Sequence, residues 1–146
     1  MGAVRDFREL RVYQASREAA RILFEISKRF PSDERFSLTD QIRRSSRSVG
    51  ANIAEGWRKR RYPQAFISKL SDADTEAAEV QSWLDHALNC CYITKEVFDD
   101  LDSRYHHISA QLCPMMDRPE QWCGNSEDRR ETAARGVKQP TPDKPR

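Results

Sequence analysis

Arginine's planar fork pairs with carboxylates and phosphates, and one stretch of this chain gathers such side chains. Residues 41–62, QIRRSSRSVGANIAEGWRKRRY, hold Arg43, Arg44, Arg47, Arg58, Lys59, Arg60 and Arg61 against a single acid, Glu55. The 146-residue chain has a net charge of only +2, so its remainder is net acidic and the positive charge is local. Four of the cations are consecutive, Arg58 to Arg61, between Trp57 and Tyr62. Such a cluster at an exposed turn would bind phosphates by counterion release, without reading sequence. The two aromatics could stack on unpaired bases, although Trp57 also lies at the edge of an apolar stripe and has the core as its alternative.

Other chemistries find little support. Asn52 and Glu55 share a helix face with Ser48, but no base or nucleophile is specified beside them. Their expected roles are structural: Glu55 pairing with an arginine of the same or a neighbouring subunit, Asn52 bonding across a helix interface. Cys90, Cys91, Cys113 and Cys123 show no C-x-x-C spacing, and Cys90-Cys91 reads as small packing residues inside a helix. His86, His106 and His107 have no second ligand at metal spacing, and adjacent His106 and His107 diverge by about 100° on a helix. There is no phosphate-cradling glycine loop and no nucleophile elbow. The expectation is a protein that is not an enzyme and uses neither metal nor cofactor.

The elements that would position the basic stretch are helices. Five glycines and 38% apolar residues suit a bundle with an economical core. Residues 6–30 read as a first helix with a broad apolar stripe, stopped by Pro31. The second runs from Ser37, which with Asp40 resembles a capping box, to about Gly56, a candidate C-cap. On it Leu38, Ile42, Ser45, Val49, Ile53 and Gly56 form the core stripe. The arginines lie opposite, mixed with Gly50, Ala51 and Ala54, which would let another backbone or a phosphate chain come close.

Pro63 opens a third helix. Its Phe66, Leu70, Ala73, Ala77, Val80, Leu84, Ala87 and Cys91 alternate four and three apart, a seam for nearly antiparallel packing. Its flanks are acidic (Asp72, Asp74, Glu76, Glu79, Asp85), complementary to the second helix. Thr94 caps a fourth helix, in which Val97, Leu101, Tyr105, Ile108, Leu112 and Met115 continue the seam to about Pro114. The architecture expected is an all-α, antiparallel up-and-down four-helix bundle over residues 6–116. Residues 117–146, with Pro119, Pro140, Pro142 and Pro145 and few apolar residues, read as a disordered tail, from which Trp122 and Cys123 could dock back. No apolar run approaches the ~18 residues of a membrane span, and a cytoplasmic location is expected.

Phe7, Leu10, Val12 and Gln14, then Phe30-Pro31, Leu38, Gln41-Ile42-Arg43-Arg44, Ser48-Val49, Asn52-Ile53-Ala54-Glu55-Gly56, Glu79 and Tyr92-Ile93 form a series. Over residues 7–116 this series resembles the small bacterial four-helix-bundle proteins first noticed as reading frames in intervening sequences of 23S ribosomal RNA genes. That family also includes the accessory variability proteins of diversity-generating retroelements. The Asn-Ile-Ala-Glu-Gly block after Arg-Arg is the specific part. The chain departs from the family at Ala73–Glu79, where Thr75 and Glu76 stand in place of a frequent Gly-Ser.

The resemblance implies a subunit of a ring, often a pentamer, with basic surfaces for nucleic acid and, for retroelement members, a reverse transcriptase and its RNA as partners. The function expected is non-catalytic nucleic-acid binding by a homo-oligomer, with RNA or a reverse transcriptase–RNA assembly as ligand. The sites are Arg43, Arg44, Arg47, Arg58, Lys59, Arg60 and Arg61, with Asn52, Glu55, Gly56 and Glu79 at structural or interface positions. The alternative is a structural or adaptor oligomer whose arginines pair with the acidic flank of the next subunit.

Overall fold

Apolar residues recurring four and three apart must be covered on one side, and in this chain helices cover one another. The computed structural model describes residues 3–124. Its long helices are α1 (Arg11–Ser27), α2 (Leu38–Arg58), α3 (Pro63–Asn89) and α4 (Lys95–Asp117), followed by the short α5 (Glu120–Cys123). No strand occurs among the described residues. Each long helix packs against its two neighbours, α2 most extensively against α3, and α1 closes the ring against α4. Short connections and no extensive diagonal contact make this an up-and-down four-helix bundle.

The seams read from the sequence form the core. Leu38, Ile42, Ser45, Val49, Ile53 and Gly56 of α2 are buried, as are Phe66, Leu70, Ala73, Ala77, Val80, Leu84 and Ala87 of α3. Leu101, Tyr105, Ile108, Leu112 and Met115 complete it from α4. The Tyr105 hydroxyl is buried without a partner among the described residues, and burial pushes its ionisation above the ordinary phenol range.

Helix ends depart from expectation in several places. The first helix begins later, because Asp6 and Glu9 close a capping box around a separate 3-10 turn at Phe7–Glu9 and Leu10 is extended. Ser37 precedes α2, but its side chain makes no capping hydrogen bond, so the Ser37/Asp40 box does not form. Thr94 does cap α4, its Oγ1 accepting from the Val97 amide at 3.2 Å. Pro114 lies inside the last turn of α4 instead of ending it. The ordered structure then continues past residue 116 into α5, where Trp122 and Cys123 pack on the core. The remainder of the expected tail, 125–146, lies outside the described residues.

The cysteine pair is the clearest correction. Cys90 and Cys91 are exposed, not core. Helix α3 ends one turn early: the Cys91 amide donates to the Leu88 carbonyl at 3.0 Å and the Tyr92 amide to the Ala87 carbonyl at 2.9 Å. This paired arrangement places the residue after the cap in the left-handed region, a position that favours glycine. Cys91 occupies it with φ 62°. Replacing Cys91 with glycine should therefore raise stability by about 0.5–1 kcal/mol, measured as an increased midpoint of urea unfolding. An unchanged or lower midpoint would show that the backbone here is not strained.

Gly56 tests the flank of α2 that faces α3. It lies within the helix, not at its cap, and an added Cβ would sit 3.3 Å from both Leu70 Cδ2 and Lys69 Cβ of α3. Gly56→Val should cost about 1–3 kcal/mol by overpacking, readable in the same unfolding experiment. A neutral result would mean that the α2–α3 contact is looser than these distances require.

Candidate nucleic-acid interface

Helix α2 is flanked closely on both sides, and this decides where its cations go. Toward α1, Gly50 is buried, and a Cβ there would lie 3.2 Å from Ser16 Oγ and 3.5 Å from the Tyr13 ring. Toward α3, Gly56 meets Leu70 and Lys69, and the Trp83 indole donates to Ser45 Oγ at 3.2 Å. Gly50 thus serves packing within the chain, and only Ala51 of the small residues interspersed with arginines is exposed. The helical repeat leaves Arg44, Arg47 and Arg58 around an outward meridian with Ala51 between them, and all three are exposed.

Arg43 behaves differently. It is half-buried, its Nε donates to Ser27 Oγ of α1 at 2.7 Å, and its guanidinium lies 4.7 Å from the Phe24 ring centroid. Arg47 lies 5.7 Å and Lys28 4.8 Å from the same centroid. Phe24 therefore gathers three cations at the α1–α2 seam, next to a groove of about 150 Å³ with Arg17 and Arg47 among its lining residues. Sequence reasoning placed the arginines of α2 but missed this contribution from α1. Its signal is the spacing of Arg17, Arg21, Phe24 and Lys28, four, three and four apart on one face.

The 58–61 cluster divides as well. Trp57 is only 4% exposed, which rules out its stacking on a base. Arg60 covers it, with the guanidinium 3.4 Å from the ring centroid and Nε donating to the Trp57 carbonyl at 2.8 Å. Burial draws the Arg60 pKa below its ordinary value. Arg58 and Lys59 are exposed, as are Arg61 and Tyr62. Arg58 ends α2 and Lys59 follows as its cap, about 17 Å along the helix from Arg47 at 1.5 Å per residue.

The expected charge pairing of α2 with α3 is reversed in the one ion pair that joins them. Glu55, the acid of the basic stretch, takes Lys69 of α3 at 2.7 Å, and this contact raises the lysine pKa. Asn52 bonds within its own helix, Nδ2 donating to the Ser48 carbonyl at 2.9 Å, not across an interface. Glu79 is half-buried on α3 beside Glu76, whose carboxyl is pushed above its usual range by burial and then by Glu79. None of the six ion pairs among the described residues uses a cation of α2. No cluster of three or more His, Cys, Asp or Glu with metal-binding geometry occurs among them either, and no described helix is long and apolar enough to cross a membrane.

Comparisons with known proteins agree with this architecture. No curated protein matches the chain. Among solved structures, a protein with unknown function from the S23 ribosomal protein family from Bacteroides thetaiotaomicron is similar, with 30% sequence identity and a TM-score of 0.66. The likeness covers 73% of this chain and 95% of that one. Residues 8–113 match the 23S rRNA-intervening sequence protein family, a span that takes in all of α1, α2 and α3 and most of α4. On that match, the chain belongs to the 23S rRNA-intervening sequence protein family.

Proposed function

We propose that this chain is a non-catalytic RNA-binding bundle, acting as a homo-oligomer, with the outward face of α2 as its phosphate-binding surface. The observation that carries the reading is the row of Arg44, Arg47 and Arg58, exposed and joined to no acid by any ion pair among the described residues. Exposed arginines held along a rigid helix engage successive phosphates and release their counterions, Arg58 sharing its field with the Asp6 carboxylate, whose pKa it helps to lower after Arg8. Copies of that row at fixed geometry would add by avidity. The family's name associates it with ribosomal RNA genes, in keeping with RNA, free or within a reverse transcriptase–RNA assembly, as the ligand.

A second reading, an adaptor oligomer, is favoured by one observation. Glu76 and Glu79 lie together on α3, and burial and their mutual repulsion raise the Glu76 pKa. Arginines of a neighbouring copy would relieve that repulsion, and they would then be unavailable to phosphate.

Stability separates the structural cations from the free ones. Arg43→Ala and Arg60→Ala each remove a hydrogen bond and a ring contact and should cost about 1–2 kcal/mol. Arg44→Ala and Arg58→Ala should stay within about 0.5 kcal/mol of the parent. Equal losses at all four positions in thermal unfolding would contradict this division.

Binding tests the function itself. Fluorescence anisotropy with labelled RNA, titrated through salt, should show log affinity falling linearly with log salt. The double variant Arg44→Ala/Arg47→Ala should bind more weakly and lower the slope by about 1.4 on a single strand, from roughly 0.7 per phosphate. If the parent binds no RNA at low salt, and sedimentation shows that the variant loses its assembly, the adaptor reading takes its place.

A further inference from the structure

Two large apolar side chains stand out in solvent among the described residues, and both are aromatic: Phe36 is 85% exposed and Tyr62 63%. They lie at opposite ends of α2, just before Leu38 and just after the Arg58–Lys59 end. Neither fills the core. Phe36 instead borders a groove of about 460 Å³ between the start of α2 and the end of α3, walled also by Trp83 and His86. Glu34 and Gln41 bring a carboxylate and an amide to the same groove. Arg35 lies over the Phe36 ring at 5.2 Å, and Arg44 follows Gln41 by three residues, on the adjoining turn of the helix.

Flat aromatic walls, edge-directed hydrogen-bonding groups and flanking cations together match one class of ligand. A nucleobase has a π-face for stacking, and the amino and carbonyl groups of its edge suit an amide and a carboxylate. Its phosphates would meet Arg35 and Arg44. Within a duplex the base faces are stacked and hidden, so only an unpaired base could enter. We infer that the groove beside Phe36 is a pocket for one unpaired nucleobase of a single-stranded RNA running along α2, with Tyr62 as a second stacking platform at the far end. This inference rests on the phosphate-binding face proposed above and adds strand selectivity to it. A protein anchor would also explain an exposed phenylalanine, but the cations and base-edge groups around this ring favour the polyanion.

The test compares an unstructured single-stranded RNA with a hairpin duplex of equal length, using the full chain and its Phe36→Ala and Tyr62→Ala variants. Phe36 is exposed, so its truncation leaves the core intact, and unfolding midpoints provide the control. The parent should prefer the single strand, and binding should quench the fluorescence of Trp83, a signal that Trp83→Phe removes. Phe36→Ala should weaken single-strand binding on the order of 5- to 100-fold, the range of one base–aromatic stack. It should leave duplex affinity and the salt slope unchanged, and Tyr62→Ala should act in the same direction.

If both RNAs bind with a steep salt dependence but Phe36→Ala changes neither, the base pocket is wrong and the phosphate face stands. A preference for the duplex would also overturn the pocket. If neither RNA binds at low salt, both proposals fall together. Loss of self-association in Phe36→Ala, with RNA affinity unaltered, would assign the ring to a protein contact and overturn the base pocket.

Discussion

The structure depends on how closely α2 is held between α1 and α3. Gly50 lets Ser16 and Tyr13 approach on one flank, and Gly56 lets Leu70 and Lys69 approach on the other. Serines do similar work: Ser16, Ser27, Ser45 and Ser46 are buried. Three of these hydroxyls donate to a carbonyl three residues back in their own helix, Ser16 to Tyr13, Ser27 to Phe24 and Ser46 to Arg43. A short side chain that satisfies itself locally adds little bulk to a helix interface and leaves no polar atom in need of water. A helix clasped in this way has a narrow solvent-facing strip left, and a sequence dense in arginine must place them on that strip or neutralise them at its edges.

Both outcomes occur, and they divide the cations into covered and exposed. At the edges, Arg43 is anchored by Ser27 and Phe24, and Arg60 by Trp57. These guanidiniums exchange part of their hydration for a ring face and a fixed acceptor, so they support the bundle at the expense of availability. On the strip, Arg44, Arg47 and Arg58 stay exposed, although Arg47 also lies 5.7 Å from the Phe24 ring centroid and Arg58 acts on the Asp6 carboxylate. Glu55 could have compensated one of them but is held by Lys69 of α3. The ion pair therefore keeps the one acid of this stretch engaged away from the arginines, in addition to any small stabilisation it provides at the surface.

The sequence makes the bundle legible because a heptad seam is a periodic signal, repeated over whole helices and tolerant of a misread residue. Every seam position from Phe66 to Ala87 is buried as read. The failures lie where one local geometry overrides the period. Cys91 fits the seam by spacing but is itself the left-handed residue just past the end of α3. Ser37 has the residue type of a capping box but not the backbone for it, at φ −122° and ψ −102°. Gly56 looks like a helix end because glycine often is one, whereas its lack of a side chain is used for lateral packing. The site is less legible than the fold. A list of cations does not show which will be covered, and the partners that decide it, Ser27 and Phe24, lie on another helix.

The same division bears on what such a surface can recognise. A row of outward arginines on a straight helix senses charge and spacing, and these hardly differ between one nucleic-acid sequence and another. Chemical discrimination needs a concave place with directional groups, and beside the strip the α1–α2 seam offers only a small one of about 150 Å³. The ends of the bundle differ, because there the helices stop at different heights and connecting residues leave hollows. The Phe36 groove arises in that way, from α3 running on beside the turn that precedes α2. The seam fixes the helices and the strip carries the charge, leaving the ends of the bundle to bring directional groups together without disturbing the core.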